Sequence, residues 1–123
     1  MPGSALVAVV DDDESVRESL PDLLAQLGFA VQVFASGEDF LASLAVAEAR
    51  CLLLDIAMPG MSGPELQDEL RSRRVDIPIV FITGQHDEAV RPRMMERGAV
   101  DVLAKPFSEA ALLRAVNAAL RIG

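Results

Sequence analysis

The stretch Cys51-Leu52-Leu53-Leu54-Asp55, followed shortly by Met58-Pro59-Gly60, decides the fold. An unbroken apolar run reads as a strand buried on both faces of a parallel sheet, and the chain then turns at Pro59-Gly60, just past a carboxylate at the strand tip. Open α/β sheets bind their ligands outside the carboxyl ends of the strands, so Asp55 stands where such sheets do their chemistry. Three more runs end in the same way. Ala5 to Val10 leads into Asp11-Asp12-Asp13, Ile77 to Ile82 into Thr83-Gly84, and Val100 to Ala104 into Lys105-Pro106. Side by side, these strands bring carboxylates, a hydroxyl and one ammonium to a single pole. That excess of negative charge requires a cation, and the residues spell a metal-assisted site centred on Asp55.

Between the strands the apolar spacing becomes helical. Val16, Leu20, Leu23, Leu24 and Leu27 form a first helical stripe that Gly28 stops. Phe29 to Phe34 is a short second strand; Ser36 with Asp39, and Ser62 with Glu65, start the second and third helices, Pro64 being tolerated in a first turn. The fourth helix carries Pro92, which costs about 3 kcal/mol in a helix interior and little in the first turn, so this helix is expected to start near Val90 or Arg91 and to stop at Gly98. Leu113, Val116 and Leu120 follow Ser108 as the stripe of a fifth helix. Strand and helix alternate five times, the pattern of an α/β doubly wound sheet.

The chain has 123 residues, 51% of them hydrophobic, enough for one domain with a core and too few for two ordinary ones, so residues 1–123 are read as a single domain. The single Cys51 lies inside an apolar run and is read as a buried small hydrophobe in a reducing compartment. No apolar stretch approaches the ~18 residues of a membrane span, and Met1-Pro2-Gly3-Ser4 lacks the features of a signal peptide, so a cytoplasmic location is expected. A formal net charge of −8, with neither Tyr nor Trp, argues against direct nucleic-acid binding. The basic residues fall in two small groups, Arg71-Arg73-Arg74 and Arg91-Arg93-Arg97. His86 has no second His or Cys to share a metal with and is read as solvated.

Four segments, Val10-Asp11-Asp12-Asp13-Glu14, Asp55 to Gly63, Ile82-Thr83-Gly84 and Lys105-Pro106-Phe107, resemble those of receiver domains of bacterial two-component response regulators, the FixJ-like subgroup most. The resemblance spans the chain and implies a (βα)5 flavodoxin-like fold with strand order 2-1-3-4-5. It matches Asp55 to the phosphoacceptor, a carboxylate nucleophile toward phosphorus. It matches Asp11 and Asp12, with Asp55 and the Ala57 carbonyl, to the ligands of Mg²⁺ or Mn²⁺; Mg²⁺ keeps several waters and is held through few carboxylates. Thr83 and Lys105 match the groups that meet the phosphoryl oxygens, and Lys105-Pro106 matches a cis peptide bond.

The implied partner is a sensor histidine kinase, and no enzymatic activity is expected beyond Mg²⁺-dependent self-phosphorylation and slow self-dephosphorylation. The implied response is a weak homodimer through the fourth helix, fifth strand and fifth helix, where Arg91, Arg93 and Arg97 near Asp101 offer a self-complementary charge set. An output domain, such as a transcriptional one, would lie beyond residue 123. At two points the chain departs from the family pattern. Val102 stands three residues before Lys105, where an aromatic ring is usual, and Pro92 shortens the fourth helix. These departures favour an alternative, a pseudo-receiver acting as a constitutive interaction module, against which stand the intact acids, Thr83 and Lys105. A flavin-binding flavodoxin-like protein would need a phosphate cradle of Ser, Thr and Gly after the first strand, where this chain has acids.

Overall fold

The computed structural model describes residues 5–84 and 88–122. Five strands, β1 (Leu6–Val10), β2 (Ala30–Phe34), β3 (Cys51–Asp55), β4 (Ile79–Thr83) and β5 (Asp101–Ala104), form one parallel sheet in the order β2-β1-β3-β4-β5. The helices are α1 (Glu14–Gln26), α2 (Gly37–Leu41), α3 (Ala45–Glu48), α4 (Gly63–Ser72), α5 (Val90–Glu96) and α6 (Glu109–Ile122). The expected strand order and strand tips are therefore those observed.

Side chains alternate across a strand, and this sheet uses both faces. Val7, Val9, Cys51, Leu53, Val80 and Ile82 pack with Leu20 and Leu24 of α1 and with Leu112 and Val116 of α6. Ala8, Val10, Leu52, Leu54 and Phe81 point the other way, against Phe40, Leu66 and Met94 from α2, α4 and α5. Every residue of β3 is buried, as its unbroken apolar sequence requires of a central strand covered on both sides. Burial pushes the Cys51 thiol up to about 12, so it is inert in this packing.

The one expected helix between β2 and β3 is two short ones. Ser43 explains the break: its Oγ donates to the Phe40 carbonyl at 2.7 Å and accepts from the Ala45 amide at 3.2 Å, offering the backbone local partners in place of the helical ladder. Elsewhere the expected caps form, except that Ser36 and Asp39 make only one half of the capping box that their spacing predicts. Ser62 and Glu65 form a reciprocal capping box at α4, Ser36 Oγ accepts from the Asp39 amide, and Gly28 follows α1 with φ 98°. Pro92 falls in the first turn of α5, which starts at Val90.

Candidate functional site

Register brings the strand tips level. Asp55 pairs with Ile82, and Thr83 with Ala104, so the ends of β3, β4 and β5 form one rim. Asp11 continues from β1, its amide bonded to the Phe34 carbonyl at 3.1 Å, and Lys105 continues from β5, its amide bonded to the Thr83 carbonyl at 2.8 Å. The Lys105-Pro106 peptide is cis, as expected. Asp12, Asp55, Ala57, Thr83 and Lys105 all line one cleft at this rim.

The run of acids after β1 divides its labour. Asp13 caps α1, its Oδ1 accepting from the Ser15 amide at 3.0 Å and the Ser15 hydroxyl at 2.8 Å, and these bonds hold its carboxyl below the usual range. Asp12 and Asp13 line the cleft, and Asp11 lies buried behind them. Asp11, Asp12 and Asp55 can each place one oxygen so that all three lie within 4.8 Å of one another. Lys105 Nζ lies 3.1 Å from Asp11 Oδ2 and 3.9 Å from Asp13 Oδ2. Burial alone would lower the ammonium's pKa, but the carboxylates of Asp11, Asp55 and Asp13 together outweigh it and the Lys105 pKa is raised.

Burial, and after it the charge of Asp11, push the Asp55 carboxyl up to about 7 against the partial offset of Lys105. Asp11 Oδ2 is fully buried and has no hydrogen-bond partner among the described residues, its nearest counter-charge being the Lys105 ammonium. A small hard cation resolves both features, because it accepts oxygen ligands and favours ionised carboxylates. The three acids therefore fit Mg²⁺ or Mn²⁺ on chemical grounds.

A model of the response regulator receiver domain family matches residues 7–117. The chain belongs to the response regulator receiver domain family. It is 45% identical over 115 residues to nodulation protein W of Bradyrhizobium diazoefficiens, covering 94% of this chain and 51% of that protein. It is 42% identical over 120 residues to the transcriptional regulatory protein FixJ of Azorhizobium caulinodans, covering 98% of this chain and 57% of that one. Among solved structures, the response regulator StyR superposes with a TM-score of 0.88 at 46% identity, over 98% of this chain and 61% of that one. FixJ-N gives 0.86 at 38% identity, over 98% and 96%. This receiver domain thus spans about half the length of the curated relatives it matches. No described helix is long and apolar enough to cross a membrane.

Within this receiver domain the three arginines expected to form one charge set are split. Arg91 alone reaches Asp101, at 2.7 Å, and also donates to the Val102 carbonyl. Arg97 turns toward α4: it donates to Gln67 Oε1 at 2.8 Å, the Pro64 carbonyl at 2.9 Å and Asp68 Oδ1 at 2.6 Å. Arg93 lines the cleft beside Asp12, Asp55, Thr83 and Lys105. Its place there was legible in principle, since Val90 and Met94 are the buried face of α5 and Arg93 lies three residues after Val90. His86 lies outside the described residues. Val102 is buried in β5, packed in the same core as Met94 and Val90.

Proposed function

We propose that this domain is a phosphorylation switch in which Asp55 accepts a phosphoryl group from a phosphohistidine of a sensor histidine kinase. The observation that supports this most is the meeting of Asp55, Asp12 and Lys105 in one open cleft at the strand tips, with the buried Asp11 carboxylate beside them. An Asp55 oxygen attacks phosphorus and forms an acyl phosphate while the P–N bond of the donor breaks, its electron pair returning to the imidazole nitrogen.

Asp11, Asp12, Asp55 and the Ala57 carbonyl would hold Mg²⁺ or Mn²⁺, which supplies charge neutralisation for the phosphoryl oxygens. Lys105 carries positive charge to the same oxygens from the β5 side. The Thr83 hydroxyl, at the tip of β4, donates to one of them and so reports the new group to the loop that follows. Phosphorylation adds a charge of about −1.5 to −2, which biases conformers of this rim and the face made by α5, β5 and α6. The output is a weak homodimer or a partner surface, and the relatives' transcriptional roles suggest regulation of transcription through a further domain. The intact acids and Lys105 disfavour a constitutive interaction module.

Incubation with acetyl phosphate and Mg²⁺, followed by intact-mass measurement, tests the reading. One phosphoryl group should appear, and EDTA should prevent it. Equal incorporation in EDTA would remove the metal from the account.

A further inference from the structure

Among the described residues, the acidic rim of the cleft has one committed cation and one uncommitted one. Lys105 is already engaged by Asp11 and Asp13. Of the α5 arginines, Arg91 is paired with Asp101 and Arg97 with Asp68. Arg93 makes no ion pair with a carboxylate among the described residues. Among the described residues its only side-chain hydrogen bond is from Nε to the Ala89 carbonyl at 3.3 Å, which leaves both terminal nitrogens of the guanidinium available. The buried neighbours Val90 and Met94 fix this face of α5 against the core, so Arg93 is held at the wall of the cleft that also contains Asp55 and Thr83.

We infer that Arg93 is a substrate-binding residue that draws the anionic phosphodonor into the cleft and contacts its phosphate group. The inference rests on the reading of Asp55 as acceptor and adds to it a residue that meets the charged phosphate oxygens of the donor. Several acids surround the acceptor, so an incoming phosphate meets net repulsion until a cation lies on its path. A guanidinium suits this role because its planar fork pairs two phosphate oxygens at once, which an ammonium does not do. With acetyl phosphate, an Asp55 oxygen bonds to phosphorus as the P–O bond to acetate breaks and acetate leaves with the electron pair. Arg93 exchanges no proton in this step.

The test uses the intact chain with Mg²⁺ and acetyl phosphate, comparing wild type, Arg93→Ala, Arg93→Lys and Arg93→Glu. An exposed charge contact is modest, so Arg93→Ala should raise the half-saturating donor concentration about fivefold, with the maximal rate unchanged. Arg93→Lys should fall between, and Arg93→Glu should be worse than Ala. The fall of the labelling rate with added salt should be shallower in Arg93→Ala. Beryllofluoride, a non-reacting phosphoryl mimic, should bind Arg93→Ala more weakly as read by thermal shift. Unchanged half-saturation and salt dependence in Arg93→Ala, with the wild type labelling normally, would overturn this inference and leave the acceptor reading intact. A wild type that takes up no phosphoryl group would overturn the acceptor reading and this one with it.

Discussion

The Cα of Gly63 packs directly on the backbone of Asp55. A Cβ at this position would overlap the Asp55 carbonyl oxygen and lie 3.0 Å from the Ile56 Cα. The Gly63 amide donates to the Ile56 carbonyl at 3.0 Å, so the start of α4 is bonded to the segment that carries the proposed acceptor. Glycine is needed here for close approach, not for a left-handed backbone.

Gly63→Ala should therefore be unusually costly for an exchange that otherwise favours helix. Both obstructing atoms are backbone and cannot swing aside, so a loss of about 1–3 kcal/mol is expected, read by urea denaturation. Because the shift falls on Asp55, the labelling rate should drop as well. A variant as stable and as readily labelled as wild type would show that the β3–α4 connection yields freely.

Asp55 gives a pH signature in the metal-free protein. Its carboxyl holds a proton to about 7 when folded and to about 3.8 when unfolded, so the folded state binds more protons between those values. Stability is accordingly lost as pH rises through that window, and the loss is complete above it. Asp55→Asn cannot ionise, so in EDTA its stability advantage over wild type should grow from pH 4 to pH 7 and then level off. Mg²⁺ should diminish that advantage. An advantage that does not change with pH would mean that Asp55 ionises as freely folded as unfolded.

Arg97 and Arg73 make a contrasting pair. Arg73 bonds Glu69 on the exposed surface of one helix at 2.8 Å, a pair worth about 0.3–0.5 kcal/mol. Arg97 spans from α5 to α4 and partners the buried Gln67, whose Nε2 in turn donates to the Arg97 carbonyl at 2.9 Å. Arg97→Ala strands the Gln67 acceptor and should cost about 1–3 kcal/mol, whereas Arg73→Ala should be nearly silent. Equal losses for the two would refute the clamp.

That clamp also shapes the expected response to phosphorylation. Arg97 fixes the carboxyl end of α5 to α4, while the amino end follows the loop after Thr83, and Val102 provides no ring to swing. Hydrogen exchange with and without beryllofluoride should change at Gly84 and through the first turn of α5, and change little at Arg97. Protection changes confined to α1 or α4 would send the signal out by another route.

These relationships also separate what is legible in a sequence from what is not. The tips of β1, β3, β4 and β5 were readable because each apolar run stops at a polar residue, and strand order followed once the segments resembled a known family. The capping box of Ser62 and Glu65 was readable because both partners lie within one turn. The role of Arg97 is not legible because its partners, Gln67 and Asp68, lie about thirty positions away and only packing of α4 beside α5 brings them near. The need for glycine at Gly63 is hidden for a similar reason: a side chain there would meet the Asp55 backbone, and no composition rule shows a close approach. The split between α2 and α3 turned on a rotamer of Ser43, which spacing does not encode.

Asp55, supported by the acids of β1, is the proposed phosphoacceptor. Isotopically labelled acetyl phosphate with Mg²⁺, applied in parallel to wild type, Asp55→Asn and Asp12→Ala, tests this assignment most directly. The wild type should take up one label per chain, Asp55→Asn none, and Asp12→Ala should lose both labelling and the Mg²⁺-dependent rise in melting temperature. Stoichiometric labelling that persists in Asp55→Asn would mean that another residue carries the phosphoryl group.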